Sequence, residues 1–181
     1  MTDDELEIKL REYEKLKDEQ IARIGHRDNL IYVVLASSGV VASYYLSSGS
    51  NSDLLLAIPW LGIVLGWTYL VNDEKVSAIG RYIRRSVAST VREARVPAAR
   101  GELFGWEVAH RSDPRRRRRK IEQLVVDEVT FVGSSAAALS LYWMSAQDPH
   151  PGARIIFWVE VVAVGVLFVE MVLYADISGK P

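Results

Sequence analysis

Four long apolar runs, Leu30–Leu46, Leu54–Val71, Val129–Ala146 and Ile155–Ala175, constrain this chain more than any other feature. The first, at 17 residues, is at the short end of what crosses ~30 Å of hydrocarbon as a helix and relies on its flanks. Lipid offers no hydrogen bonds to a backbone, so each run is expected to be helical. The totals conceal this pattern: a net charge of −1 with 25% charged residues would suit a soluble domain. The charges are instead gathered into two blocks, and the runs leave no room for a second soluble domain of ordinary size.

The expected fold is all-α and polytopic: four transmembrane helices as two hairpins, with cytoplasmic amphipathic helices. The corresponding division is an N-terminal helix over 1–29, hairpin one over 30–71, a basic segment over 72–128, hairpin two over 129–175 and a tail over 176–181. No signal peptide precedes Leu30, so insertion is expected to depend on the first span.

Orientation follows from the cations. Of 22 Lys and Arg residues, 6 lie in the N-terminal helix, 14 in the basic segment and one, Lys180, in the tail. Only Arg154 lies in a hairpin loop. By the positive-inside rule both termini and the middle are expected to be cytoplasmic and both hairpin loops outside.

The N-terminal segment reads as an amphipathic helix. Thr2-Asp3-Asp4-Glu5 has capping-box spacing, and Leu6, Leu10, Tyr13, Leu16, Ile21 and Ile24 share a broad face. Glu5 with Lys9, Glu7 with Arg11, and Glu19 with Arg23 are i,i+4 pairs in the favourable order. The face fits a helix leaning on the rest of the chain, or an oligomerising coiled coil.

In the basic segment, helical apolar spacing runs through Val76, Ile79, Ile83, Val87 and Val91, beside Arg81, Arg84, Arg85, Arg92 and Arg95, as on a helix lying against anionic headgroups or on a straight continuation of the second span. Pro97 and Gly101 break this helix, and Leu103, Phe104, Trp106 and Val108 follow as a short apolar cluster. Ser112-Asp113-Pro114 is a helix start, and Arg115, Arg116, Arg117, Arg118, Arg119 and Lys120 follow in its opening turns. Cations are mildly unfavourable at the positive end of a helix dipole, so this run calls for a topological role or an outside partner. Its place before a spanning helix favours anionic lipid over nucleic acid.

Two sets of small residues bear on helix packing. Gly62 and Gly66 form a GxxxG in the second span, and Gly133 and Ala137 lie in the Ser- and Ala-rich third. Such residues fit close packing within the chain or a homo-oligomer contact.

The intramembrane acids are the candidate functional residues. Glu160 and Glu170 lie inside the fourth run, with Asp127 and Glu128 at the mouth of the third. A carboxylate in hydrocarbon is costly unless paired, neutral or facing water, so these residues mark an ion path or helix pairing. No enzyme is expected: there is no Walker motif, HExxH or GxSxG. Cys is lacking and His26, His110 and His150 are far apart, so no metal or other cofactor is expected.

At Gly66-Trp67-Thr68-Tyr69-Leu70-Val71-Asn72-Asp73-Glu74-Lys75, Ile79-Gly80-Arg81-Tyr82, Phe104-Gly105-Trp106-Glu107 and His110-Arg111-Ser112-Asp113, the chain resembles a family of small bacterial four-helix integral membrane proteins. The resemblance runs from Glu12-Tyr13-Glu14-Lys15-Leu16-Lys17 through the third span. It implies a bacterial inner-membrane setting and carries no mechanism. The expected role is a membrane-embedded scaffold or sensor with a cytoplasmic protein partner; the alternative is a self-assembling pore.

Overall fold

Charged and apolar residues alike enter one unbroken helix at the start of the chain. α1 covers Asp3–Ser48, 46 residues, so the amphipathic segment and the first span form a single rod of about 69 Å. The computed structural model describes residues 3–48, 51–87 and 115–175. The expected helix through Arg92 and Arg95, the Leu103–Val108 cluster, the Ser112-Asp113-Pro114 start and the tail after Ala175 lie outside the described residues.

Asn51 caps a 3-10 turn, Ser52–Leu56, by accepting from the Asp53 amide at 3.0 Å. The turn leads into α2, Ala57–Tyr82, which ends in a π turn, Ile83–Val87. α3, Arg116–Asp127, continues through a π-helical stretch, Glu128–Gly133, into α4, Ser134–Ser145. These three form one rod, because Asp127, Glu128, Gly133 and Ser134 all keep right-handed helical dihedrals. Asp148 takes a positive φ of 52° in the turn that follows, a conformation short Asp side chains tolerate. α5, Pro151–Tyr174, opens with Pro at its first position and with His150 Nδ1 accepting from the Gly152 amide.

The described residues are thus all helical apart from turns, and four helices are long and apolar enough to cross a membrane. α2 is the centre, packed against α1, α4 and α5. In its most apolar stretch 44% of residues are buried, against 11% in α1, which lies at the edge of the bundle.

GxxxG explains how α2 approaches the α3–α4 rod. A Cβ on Gly62 would collide with Ser135 Oγ and lie 2.8 Å from the Phe131 carbonyl, while one on Gly66 would be 2.9 Å from Leu167 Cδ2. The core on either side divides into two clusters. Leu55, Leu56, Leu139, Tyr142, Phe157 and Val164 fill the loop end, and Leu30, Val34, Tyr69, Phe131, Leu167 and Met171 fill the charged end. Outside the bundle, Val40, Val64, Trp67, Val129, Val162 and Phe168 stay exposed, an apolar exterior suited to lipid.

Beyond the apolar stretches α1 and α2 stay together as a two-helix arm. Leu6, Lys9, Tyr13, Leu16, Gln20, Arg23 and Arg27 are half-buried at alternating spacings of three and four, the period of a helix–helix seam. Of the apolar face expected from the sequence, Leu10 and Ile21 fall outside this seam and are exposed. Across the seam Gln20 Nε2 donates to the Val76 carbonyl (3.2 Å) and the Tyr82 hydroxyl to Glu12 (2.7 Å). Along α1, Glu7–Arg11 and Glu19–Arg23 pair at 2.6 Å, and Lys9 pairs with Glu12 at 2.6 Å.

Candidate functional site at the charged end of the bundle

Where the arm meets the apolar stretch, three helices contribute polar groups to one cluster. The hairpin sets Arg27, one turn before Leu30, opposite Asp73, just after Val71. Arg27 Nη1 donates to Asp73 Oδ1 at 2.7 Å, and its Nε and Nη2 donate to Asp28 Oδ1 at 3.1 and 2.9 Å. Its guanidinium carbon also stands 5.6 Å from the centre of the Tyr69 ring, within cation–π range. Gln123 Nε2, from α3, donates to the Tyr69 hydroxyl at 3.1 Å. Asp127, one turn further on, is 7% exposed and interacts with Tyr69, yet its Oδ1 has no hydrogen-bond partner among the described residues.

These groups border a cavity of about 30 Å³, with Tyr69, Asp73, Lys120, Gln123, Asp127 and Tyr174 in its wall. That is room for a water molecule but not for an organic ligand. Three carboxylates, Asp28, Asp73 and Asp127, share this end of the bundle with two cations, Arg27 and Lys120. The arrangement can hold α1, α2 and α3 together where the apolar stretches begin. Among the described residues, no group of three or more His, Cys, Asp or Glu could hold a metal ion.

The four acids singled out from the sequence do not form one site. Asp127 belongs to the cluster just described, and Glu128 beside it is half-buried, with neither oxygen hydrogen-bonded. Glu160 is fully buried in α5 among the loop-end residues, and both its oxygens are without partners. The Tyr142 hydroxyl is unpartnered as well. Glu170 is half-buried and does not line the charged-end cavity.

Pairing of the acids with the third span's hydroxyls is not what the geometry brings about. Thr130, Ser134, Ser135, Ser140 and Ser145 each donate to the carbonyl four residues earlier in their own helix. Local bonds of this kind are always within reach of a Ser or Thr in a helix and leave an acid on another helix without a donor.

The remaining residues lie as follows. Arg115, Arg117, Arg118 and Arg119 are exposed, Lys120 is half-buried, and Arg118 Nε pairs with Glu122 at 2.7 Å. Arg116 opens α3. Arg81 and Arg84 are half-buried and Arg85 is exposed on the arm. Gly62 and Gly66 are at the closest helix contact, whereas Gly133 and Ala137 are on an exposed side of the rod, whose contact face is Ser135 and Ala138.

Sequence reasoning found Asp127 but not Arg27, Tyr69, Asp73 or Gln123. The signal lay in the hairpin itself. Pairing Leu30 with Val71 across it places the charges one turn beyond each, Arg27 and Asp73, side by side.

Comparison with protein-family models, with curated proteins and with solved structures finds no match to this chain.

Proposed function

We propose that the chain is a four-span integral protein of a bacterial inner membrane, with its charged end in the cytoplasm acting as an interaction platform, a scaffold or sensor. The two-helix arm carries this reading. It extends past the apolar stretches, is joined by bonds between Gln20 and Val76 and between Tyr82 and Glu12, and is not needed to hold four spans in lipid. On a surface meant for water it presents Ile8 and Ile21, 63% and 68% exposed, which are apolar anchors for a protein partner. The Arg27–Asp73 pair fastens the two arm helices to each other at their foot, and both run unbroken into spans, so that a partner held by the arm is coupled to the apolar helices. The 21-to-one distribution of cations supports the cytoplasmic orientation, and the run from Arg115 to Lys120 supports contact with anionic lipid on that face.

Photo-crosslinking tests this in native membranes, with a benzophenone amino acid at position 8 or 21. A discrete adduct with a second protein is expected from both positions. Adducts with lipid or with the chain itself alone reject the platform.

Buried Glu160, without a partner, favours a second reading, a pore assembled from several copies. Phe131, Tyr142 and Leu167 fill the interior of a single bundle, so one copy encloses no passage. Ion flux into liposomes decides between the two: none is expected of the platform, and flux abolished by Glu160→Gln would establish the pore.

A further inference from the structure

α4 and α5 are joined by a short turn, yet they leave a groove between them on the outer surface of the bundle. It has a volume of about 540 Å³ and is walled by Val132, Ala136 and Ser140 on one side and Val161, Gly165 and Phe168 on the other. Gly165 faces open space in it, since a Cβ there would meet nothing within 4 Å. At the loop end the groove adjoins a second cavity of about 280 Å³, walled by Tyr142, Trp158 and Arg154. Trp143 and Phe157 belong to both walls, and their rings stack at 5.4 Å.

Dimensions decide what fits. From Val132 to Trp143 the groove runs for about 16 Å at 1.5 Å per residue, close to half of the ~30 Å hydrocarbon thickness of a bilayer. Its wall is apolar except for Ser140, so a hydrocarbon chain lying along it meets a surface of its own kind.

Charge decides the orientation of the occupant. Arg154 is the only Lys or Arg between Lys120 and Lys180, is exposed, and makes no ion pair with a carboxylate among the described residues. It lines the adjoining loop-end cavity from the first turn of α5, together with Trp143 and Trp158, aromatics of the kind that gather where headgroups lie. A guanidinium binds phosphate oxygens through paired N–H donors.

We propose that this groove is a binding site for one phospholipid molecule, with an acyl chain between α4 and α5 and the phosphate on Arg154. The site rests on the chain being embedded in a bilayer, and is independent of the arm and its partner.

The test uses the full chain in phosphatidylcholine nanodiscs with a trace of phosphatidylglycerol bearing a diazirine midway along one acyl chain. After photolysis, adducts are mapped by peptide mass spectrometry. Labelling is expected to concentrate on residues 132–144 and 161–168, to fall at least threefold in Arg154→Gln, and to vanish from those residues in Gly165→Phe. A diacylglycerol carrying the same diazirine, which lacks the phosphate, should label wild type no better than the phospholipid labels Arg154→Gln. Should Gly165→Phe fail to fold, the wild-type map and Arg154→Gln still decide. Labelling spread evenly over all four spans and insensitive to Arg154 would mean annular lipid alone and overturn the site. Links between two copies at Ala136 and Gly165 would give the groove to a second chain and overturn it too. Absence of label from every span would strike instead at the membrane embedding itself, taking the site with it.

Discussion

Gly62 and Ser135 meet where α2 crosses the α3–α4 rod, and no side-chain atom fits on Gly62 without displacing the Ser135 hydroxyl or the Phe131 carbonyl. Gly62→Ala should therefore destabilise the bundle by about 1–3 kcal/mol, the usual cost of overpacking a close contact. Gly165→Ala, pointing into open space, should change little. Thermal unfolding in detergent compares the two, and equal effects would contradict the close contact.

Arg27 ties together Asp73, Asp28 and the Tyr69 ring at the foot of the arm. Its removal leaves Asp73 without the guanidinium that joins the two arm helices. Arg27→Ala should cost about 2 kcal/mol, as for loss of hydrogen bonds to a charged group. Arg27→Lys should recover only part, because an ammonium cannot present the guanidinium's fork to two carboxylates. A double-mutant cycle with Asp73→Asn measures the coupling, and strict additivity would show that the pair is not formed.

At the far end of the arm, the Lys9 ammonium and then the Tyr82 hydroxyl bond to Glu12 and hold its carboxyl below the ordinary carboxylate range. A lowered folded-state value means stability that is present above the unfolded pKa and lost as pH falls through the folded one. Acidification should thus loosen this end first, seen as faster amide exchange over residues 8–16. In Tyr82→Phe that acid-induced loss should be smaller. An unchanged loss would mean that the contact contributes nothing in solution.

Glu160 is buried with both oxygens unpartnered. If it has no role in transport, Glu160→Leu should stabilise the bundle, by about 1–3 kcal/mol, through removal of an unsatisfied polar group. A destabilised leucine variant would show that the carboxyl is held by something other than this chain.

Much of this organisation was legible beforehand, and the reasons are physical. The apolar runs are long and almost free of charge, so the helices and the hairpin pairing follow from what a bilayer tolerates. Gly62 and Gly66 fall on the contact face because only there does a missing side chain allow close approach. The serines of the third run gave no such guidance. Period alone could not tell that Ser135 would face α2 while Gly133 and Ala137 turned outward, since small residues occupy every side of that helix and the π stretch shifts its register. The continuity of α1 was obscured as well, because its change from charged to apolar residues resembles a boundary between elements. The charged-end cluster joins residues up to 100 positions apart, Arg27 to Asp127, and such pairings arise from the crossing of helices, which no local pattern encodes.

An uninterrupted α1 has a mechanical consequence. Some 27 residues of it, about 40 Å at 1.5 Å per residue, stand beyond the apolar run. Spanning helices meet changes in bilayer thickness by tilting, and tilts range over tens of degrees. With no hinge between span and arm, a tilt of about 10° carries the tip sideways by some 7 Å, more than a full helical turn's rise. Held in a bilayer, such a rod would act as a lever, with the thickness of the membrane as its short side and the position of Glu5 and Leu6 as its pointer.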